Sequence, residues 1–409
     1  MTAPANPHPP LGQREFIVLI AAMMAINALG IDAMLPALPE IGRSLHVANE
    51  NATQWVIAAY MFGFGAMQLV YGPLADRFGR KPVLIITLIG FVIASVIASV
   101  SSSFPLLIAA RVLQGTMSAS TRVLTISIVR DCYSGRPMAR MMSLAQMVFF
   151  AIPILAPSIG SAILLVGPWR TIFWLLGGFA AVVAIWAAMR LPETLHPDDR
   201  REISVASLLS AWKITLTNRY SLGYTLASSG IFGALMGYIN SSQQIFADVF
   251  KRPDIFPFAF AGIAAAMGLA TFANSRIVER YGTRGISHWA LLGLIAITTV
   301  HLAIALSGDE NLWVFLLLQA MTLACFGLIG ANFGSMAMEP VGHIAGTASS
   351  VQGFVSTMGA AIIGIAIGQA FDGTTVPVSA GFLIVAVVAL GIVLVTEGGQ
   401  LFVARNSAA

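Results

Sequence analysis

Residues 72–81 read GPLADRFGRK, and residues 275–284, which lie 203 positions further along the chain, read SRIVERYGTR. Each segment carries an acid, an arginine and a glycine at the same spacing: Asp76, Arg77 and Gly79 in the first, and Glu279, Arg280 and Gly282 in the second. Each segment also follows the second long apolar stretch of its half of the chain. The repeated loop therefore predicts two halves of equal topology, related by a pseudo-two-fold axis, with a substrate path between them.

The composition indicates that both halves lie in a membrane. The 409 residues are 57% hydrophobic and only 10% charged, with a mean hydropathy of +0.83, whereas about a quarter of the residues of a soluble protein are charged. A bilayer crossing needs about 20 mostly apolar residues, so twelve crossings fit within this length. The composition excludes a soluble enzyme, a disordered protein and a disulfide-rich secreted domain.

We predict an all-α integral membrane protein with twelve transmembrane helices in two pseudo-symmetric six-helix bundles. The apolar runs place the spans near 16–37, 53–73, 82–101, 105–127, 141–164 and 170–190, and then near 220–242, 257–277, 286–306, 312–336, 344–370 and 376–396. The expected organisation is a disordered cytoplasmic tail at 1–15, a bundle at 16–190, a cytoplasmic linker at 191–219, a second bundle at 220–396 and a cytoplasmic tail at 397–409. The linker contains an amphipathic segment, Ile203 to Leu216, which predicts an interfacial helix.

The distribution of basic residues predicts the orientation of the chain. With the amino terminus inside, sixteen of the 22 Lys and Arg residues fall on the cytoplasmic side and four on the outer side, while Arg111 and Arg122 lie within span 4. Positive charge is retained on the cytoplasmic side of short loops, so both termini are expected to be cytoplasmic. This topology accounts for the sequence pI of about 9.3 without a nucleic-acid partner.

Few features indicate chemistry other than transport. Cys132 and Cys325 fall at different predicted depths, so we expect no disulfide. His301, within span 9, has no acid three or four residues away and is expected to be a core or lumen histidine. No phosphate-binding loop motif occurs, which leaves ion coupling as the energy source. We therefore predict neither an enzyme nor a metal or cofactor site.

Several motifs resemble those of the major facilitator superfamily. The loop at 72–81 is similar to the superfamily's loop signature, Arg111-Val-Leu-Gln114-Gly115 to its proton-coupling motif, and Ala156-Pro157-Ser158-Ile159-Gly160 to its antiporter motif, although Ala156 replaces the usual glycine. The end of span 6, at 191–195, is also familiar from this superfamily. The segments at 32–39 and 128–131 resemble the bicyclomycin-resistance and chloramphenicol-exporter (Bcr/CflA) branch of twelve-helix drug:proton antiporters.

This resemblance implies proton-coupled efflux of small amphipathic drugs, amphenicol-like or bicyclomycin-like, by alternating access. The implied setting is the bacterial inner membrane, and the implied partners are protons, a drug and the lipid bilayer, with the protein as a monomer. Some multidrug relatives carry a second acid where this chain has Met24, so neutral or zwitterionic substrates are favoured over lipophilic cations. The alternative is a proton-coupled exporter or uptake carrier of a metabolite such as a sugar, purine or amino acid.

Asp32 is the acidic residue that lies well inside an apolar predicted span, where an unpaired charge costs several kcal/mol. Arg111 in span 4 falls at a similar predicted depth, so the two side chains are expected to meet. Burial favours the protonated acid and a nearby guanidinium favours the charged form, so small changes would move a proton on or off Asp32. We assign proton coupling to Asp32 and Arg111; the alternative is a static ion pair that joins spans 1 and 4.

A second group of residues is predicted to gate transport at the cytoplasmic face and in span 5. Glycines permit close helix approach and tight turns, prolines bend span 5, and the charged residues form a latch between conformations. The predicted gating residues are Gly72, Asp76, Arg77, Gly79, Arg80, Pro157 and Gly160. A purely topological role for the basic residues of the loop and a simple kink in span 5 remain the alternatives.

A cavity for amphipathic drugs needs aromatic faces and a few amides. The candidate substrate-binding residues are Asn27, Tyr60, Phe64, Gln114, Arg122, Phe149, Tyr238, Asn240 and Gln319. Arg122 lies eleven residues after Arg111, on the same helical face and closer to the cytoplasm. It either selects an anionic or polar drug group or extends to the membrane interface. For the other candidates, lipid-facing or helix-packing roles are the alternative.

Overall fold

The computed structural model describes residues 11–133, 154–196 and 205–403, together with positions 138, 141, 152 and 200. The described residues are predominantly helical, and the chain divides into two compact units, Met1–Ser207 and Leu208–Ala409. The division falls within the predicted linker.

The first unit consists of long helices joined by short turns. Its helices are α1 (Gln13–Asp32), α2 (Leu38–Ser44), α3 (Trp55–Phe78), α4 (Arg80–Ser99), α5 (Phe104–Cys132), α6 (Ile154–Leu164, the described part) and α7 (Arg170–Arg190). The next helix, α8 (Val205–Thr217), contains the division between the two units. Short 3-10 helices, Leu35–Ala37 and Glu50–Gln54, precede α2 and α3. Proline lies in the first turn of both Leu35–Ala37 and α2, which accounts for the end of helix α1 at Asp32.

The second unit repeats this arrangement. Its helices are α9 (Arg219–Gln244, extended by a π-helical turn, Ile245–Val249), α10 (Phe256–Tyr281), α11 (Thr283–Ser307), α12 (Leu312–Met338), α13 (Ala345–Gln369) and α14 (Val376–Glu397). Two of these helices have an asparagine N-cap. The side chain of Asn218 accepts hydrogen bonds from two backbone amides of α9, and that of Asn311 accepts them from two backbone amides of α12.

Nine helical stretches within the described ranges are long and apolar enough to cross a bilayer. One of them, Leu312–Gln369, contains both α12 and α13, which a short 3-10 helix joins. The 29-residue α5 is more polar than these nine because it carries Arg111, Arg122 and several serines and threonines. The total of twelve spans stays a prediction.

Glycines set the closest helix contacts in both units. A Cβ atom on Gly115 of α5 would lie 1.9 Å from the carbonyl oxygen of Tyr60 in α3, and a Cβ atom on Gly327 of α12 would lie 2.4 Å from that of Met267 in α10. In each unit, the first helix of the pair, α3 or α10, leads into a copy of the repeated loop, and the second, α5 or α12, is the second helix after that loop. The internal repeat therefore extends from the loop to the packing of the helices around it.

Candidate functional site

Arg111 is fully buried in the first unit, and its guanidinium donates to three helices. Nε donates to the carbonyl of Val56 (2.8 Å), Nη2 to the carbonyl of Gly30 in α1 (2.7 Å) and Nη1 to Oε1 of Gln114 (2.6 Å). The guanidinium carbon also lies 4.5 Å from the centroid of the Tyr60 ring. Because α1, α3 and α5 all contribute, Arg111 fixes the separation of these helices at one depth.

Asp32, the last residue of α1, is 4% exposed. Its Oδ1 atom is buried without a hydrogen-bond partner, and no ion pair joins the carboxyl to any residue within the described ranges. Burial of a carboxyl in this way is costly for the ionised form, which lacks a compensating charge or donor. Such a group is a candidate for binding and releasing a proton.

The structure differs from the expectation that Asp32 and Arg111 meet. Arg111 reaches α1 through the backbone carbonyl of Gly30, two residues before Asp32, instead of through the carboxyl. Each nitrogen of its guanidinium donates to one acceptor, and none of these three acceptors is the acid. The alternative of a static ion pair between these side chains is therefore wrong for this structure.

Helix α6 passes close to the same end of α1. A Cβ atom on Gly160 would lie 2.2 Å from the carbonyl oxygen of Ala33 and 2.9 Å from Cγ of Pro36. The predicted antiporter segment thus contacts the residue that directly follows Asp32. Pro157, one turn earlier in α6, is buried. The described contacts of Gly160 lie within its own unit.

The loop between α3 and α4 is held by a charged network. Arg80 is buried, and its guanidinium pairs with Asp76 one turn earlier and with Asp131 near the end of α5, where Nε lies 3.0 Å from Oδ2. Thr194 donates to the same oxygen of Asp131 at 3.3 Å. Two carboxylates around one buried guanidinium link α3, α4 and α5 at their predicted cytoplasmic ends.

Glu193, after α7, caps the start of α4. Its carboxylate accepts hydrogen bonds from the backbone amides of Arg80 (2.8 Å) and Lys81 (3.2 Å), the position at which a helix favours negative charge. Gly79 has a φ of +101°, and a Cβ atom on it would lie 2.3 Å from Oε2 of Glu193. Glycine is required there both for the turn and for the approach of the capping carboxylate.

The other two predicted gating residues lie outside this network. Gly72 is half-buried within α3, and Arg77 is exposed, with its guanidinium carbon 5.4 Å from the centroid of its neighbour Phe78. These positions agree equally with gating and with the topological alternative for Arg77.

The predicted substrate residues of the first unit are mostly engaged within it. Gln114 donates to Ser95 at 2.8 Å and accepts from Arg111, while Tyr60 donates to Ser118 at 2.6 Å and stacks on Phe64 with ring centroids 6.3 Å apart. The described contacts of Gln114, Tyr60 and Phe64 lie between helices of the first unit and agree with the helix-packing alternative.

Asn27, Arg122 and Phe149 complete the candidates of the first unit. Asn27 donates to Thr121 at 2.6 Å, but its Oδ1 atom is buried without a partner. Arg122 is half-buried and engaged in an interaction. Phe149 lies outside the described residues.

The three candidates of the second unit share a different feature. The hydroxyl of Tyr238, Oδ1 of Asn240, and both Nε2 and Oε1 of Gln319 are buried without hydrogen-bond partners among the residues that the structure describes. Buried polar groups of folded proteins are normally satisfied, so unpaired ones call for an explanation such as a ligand or water. Tyr238 also stacks on Phe260, with ring centroids 6.0 Å apart. This set combines an aromatic face with donors and acceptors.

Sequence reasoning missed the residues that hold the predicted ones in place. The carbonyl partners of Arg111 arise from helix packing and leave no sequence signal. Glu193 and Asp131 did carry one, because both lie in quoted motifs, but their roles follow only from the fold. A buried cluster in the second unit was also missed: Arg284 and Tyr224 donate to Glu397, and His288 contacts the hydroxyl of Tyr224.

Comparison with known proteins identifies the family. The family model of the Major Facilitator Superfamily matches residues 20–365. The chain belongs to this superfamily. Its membership accounts for the repeated loop, the two units and the buried residues of α1 and α5, and it makes the protein a multi-pass membrane transporter instead of an enzyme.

Individual relatives agree with the more specific resemblance. The chain is 27% identical to the bicyclomycin resistance protein homolog of Haemophilus influenzae, covering 85% of this chain and 87% of the relative. It is 28% identical to multidrug resistance protein D of Escherichia coli K12, with the same coverages.

A solved structure confirms the fold. A bacterial homolog of the human lysosomal transporter Spinster, in an inward-facing and occupied conformation, aligns with a TM-score of 0.76 at 16% identity, over 96% of this chain and 98% of that one. The major facilitator fold predicted from sequence is therefore confirmed.

Proposed function

We propose that this major facilitator transporter exports small amphipathic drugs in exchange for protons, by alternating access. The observation that carries the proposal is the carboxyl of Asp32, which is buried at the end of α1 with neither an ion pair nor a hydrogen bond to a described residue. An acid in that position can gain or lose a proton without breaking another contact. The proton then changes the cost of burying the group.

The ionised carboxylate is favoured when the site is open to water, and the neutral acid when it is closed in apolar surroundings. Asp32 takes up a proton from the outside, which displaces the drug, and releases it when the site opens to the cytoplasm. Arg111 acts as a positioning residue, because it holds the carbonyl of Gly30 and hence the end of α1. Because Gly160 contacts Ala33, a movement of the end of α1 would also displace α6.

Neutral or zwitterionic drugs, amphenicol-like or bicyclomycin-like, are the substrates that we propose. The relatives named for bicyclomycin and multidrug resistance support this class. The unpaired polar atoms of Tyr238, Asn240 and Gln319 support it as well, since they offer donors and acceptors without charge. One proton per cycle, at a proton-motive force of about 150 mV, supplies about 3.4 kcal/mol, which sustains a neutral-drug gradient of roughly a few hundredfold.

The network around Arg80 is proposed to serve as the cytoplasmic latch. It joins α3, α4 and α5 through Asp76 and Asp131, and Glu193 ties it to the segment after α7. The proposed setting is the bacterial inner membrane, with both termini cytoplasmic and the protein as a monomer.

Substrate-triggered proton movement in inverted membrane vesicles tests the proposal. Respiration acidifies the vesicle lumen, and a pH-sensitive dye reports proton loss when chloramphenicol, bicyclomycin or one of a panel of sugars, purines and amino acids is added. Asp32→Asn is compared with the wild type and with Asp254→Asn, which removes an exposed acid paired with Arg252. We expect a drug to collapse the gradient in the wild type and in Asp254→Asn but not in Asp32→Asn.

Other outcomes would contradict parts of this account. A response to a metabolite alone would favour the alternative carrier and remove the drug assignment. An Asp32→Asn response equal to that of the wild type would remove the proton site.

A further inference from the structure

A buried acid and a buried histidine meet in the C-terminal unit, apart from the cluster around Glu397. Nε2 of His301 in α11 lies 2.8 Å from Oε1 of Glu310, which precedes α12. The two side chains are only 1% and 5% exposed. Thr375, just before α14, donates its hydroxyl to Oε2 of the same carboxylate. This His301–Glu310 pair therefore lies where three helices of the unit come together, near their predicted outer ends.

The surroundings of the pair are apolar. The ring of Phe315 in α12 lies against His301, with centroids 5.6 Å apart, and it belongs to a cluster of phenylalanines that includes Phe246 and Phe250. The other charged groups at this end of the unit are exposed: Asp309 beside Glu310, Asp372 in the loop before α14, and Asp248, Lys251, Arg252 and Asp254 between α9 and α10. On α12, the thiol of Cys325 lies deeper, near Gly293.

Two features distinguish the pair from a fixed structural contact. Although the two atoms are 2.8 Å apart, neither Nε2 of His301 nor Oε1 of Glu310 makes a hydrogen bond to a described residue. Nδ1 of His301 is also buried without a partner among the described residues. A buried ion pair is seldom more stabilising than an apolar replacement unless its hydrogen bonds are satisfied. The unmet hydrogen-bonding capacity thus argues against stabilisation as the sole role.

We propose that the His301–Glu310 pair is a second proton-binding site of this transporter. The proton-free site holds a neutral imidazole and a carboxylate, with a net charge of −1. One proton from the outer aqueous phase binds a ring nitrogen and gives an imidazolium–carboxylate pair with no net charge. Removal from water costs less for the neutral pair than for a lone carboxylate. Proton uptake therefore favours the closed state of this end of the unit.

For transport, this inference rests on the proposed function and deepens it. Asp32 and His301 belong to different units, so each unit carries one exchangeable proton. Export of one neutral drug molecule is then coupled to two protons instead of one. The drug gradient at a given proton-motive force becomes the square of the gradient that a single proton sustains.

A substrate-free measurement tests proton binding by itself. The full-length protein, labelled with ¹³C at histidine Cε1 and placed in lipid nanodiscs, is titrated by NMR between about pH 5 and 9, the range in which histidine changes charge. His301→Gln assigns the signal. We expect that signal to shift with pH in the wild type and to stay at its neutral position throughout in Glu310→Gln. A His301 signal that does not move, or that moves equally in Glu310→Gln, would overturn the proposal.

Transport stoichiometry then tests coupling. In proteoliposomes, the pH gradient that just balances a chloramphenicol or bicyclomycin gradient gives the proton-to-drug ratio. We expect about two for the wild type and about one for His301→Gln; an unchanged ratio would overturn coupling through this site. His288→Gln is the matched control, since His288 is buried in the same helix and both of its ring nitrogens have partners. Glu310→Gln, which removes the carboxylate of the pair, covers the case in which His301→Gln does not fold and is also expected to give a ratio of about one. Thr375→Val keeps both groups of the pair and is expected to keep the ratio of about two.

Failure of this inference is distinguishable from failure of the proposed function. If Asp32 does not couple transport, Asp32→Asn transports like the wild type while the His301 signal still titrates. If the pair is merely structural, Asp32→Asn loses coupling while the His301 signal stays fixed.

Discussion

Replacement of Arg111 by lysine separates the role of its charge from the role of its shape. Lysine keeps the positive charge but carries one nitrogen on a flexible stem, whereas the guanidinium is a rigid fork. In the structure, three different nitrogens of Arg111 donate to the carbonyls of Val56 and Gly30 and to Gln114. A single ammonium placed at this position retains one of these acceptors, so two buried acceptors lose their donor.

The magnitude follows from these contacts. Each buried acceptor left without its donor costs about 1–3 kcal/mol, and the lost contact with the Tyr60 ring, at 4.5 Å, adds about 1 kcal/mol or less. We expect Arg111→Lys to destabilise the N-terminal unit by roughly 2–7 kcal/mol. For a unit of this size, that corresponds to a fall of roughly 4–28 °C in melting temperature.

Thermal unfolding of the purified protein in detergent, monitored by tryptophan fluorescence, measures this loss. Arg252→Lys is the control, because Arg252 is exposed and pairs only locally with Asp254; we expect its melting temperature to stay within about 2 °C of the wild type. An Arg111→Lys protein that melts with the wild type would refute the positioning role. Retained stability with lost transport would instead indicate that the guanidinium acts directly in coupling.

Three further predictions concern glycines and an amide. Gly79→Ala should lower the melting temperature more than Gly282→Ala. Alanine is strained at both backbone positions, at a cost of about 1–3 kcal/mol, but only at Gly79 would a side chain, that of Glu193, lie 2.3 Å from the added Cβ. Equal losses in differential scanning calorimetry would contradict the capping interaction. Gly160→Ala should push α6 away from the carbonyl of Ala33 and reduce the transport rate at least severalfold, while drug binding persists. An unchanged flux of labelled drug would exclude α6 from the mechanism. Gln319→Leu removes two unpaired buried polar atoms, so the protein's stability should be unchanged or raised. Drug binding should weaken about tenfold, equivalent to about 1.4 kcal/mol. Unchanged affinity in equilibrium dialysis would exclude Gln319 from the site.

Much of the fold follows from the sequence because membrane insertion imposes simple rules. Apolar run lengths located the helices that the structure describes, and the repeated loop at 72–81 and 275–284 predicted an internal repeat. Boundaries were less accurate: α1 begins at Gln13 instead of 16, and α5 continues to Cys132. These ends depend on polar residues that remain helical at the membrane surface, where hydropathy no longer identifies them.

The burial of the two predicted coupling residues could be predicted from the sequence, but their contacts could not. Burial of Asp32 and Arg111 followed from their positions in apolar runs, whereas the partners of Arg111 are backbone carbonyls that no pattern marks. The partner of His301 was missed because Glu310 lies nine residues away, across the turn between α11 and α12. The i to i+4 spacing that identifies pairs within a helix fails at such turns, because there tertiary packing decides the neighbours.

The central claim is that the proton on Asp32 drives transport, and one comparison in proteoliposomes tests it most directly. Asp32→Asn keeps the shape of the neutral acid but cannot exchange a proton. We predict that it exchanges external for internal labelled drug at a rate near that of the wild type, yet accumulates no drug when a pH gradient is imposed. Accumulation driven by the pH gradient in Asp32→Asn, at the wild-type level, would contradict the account.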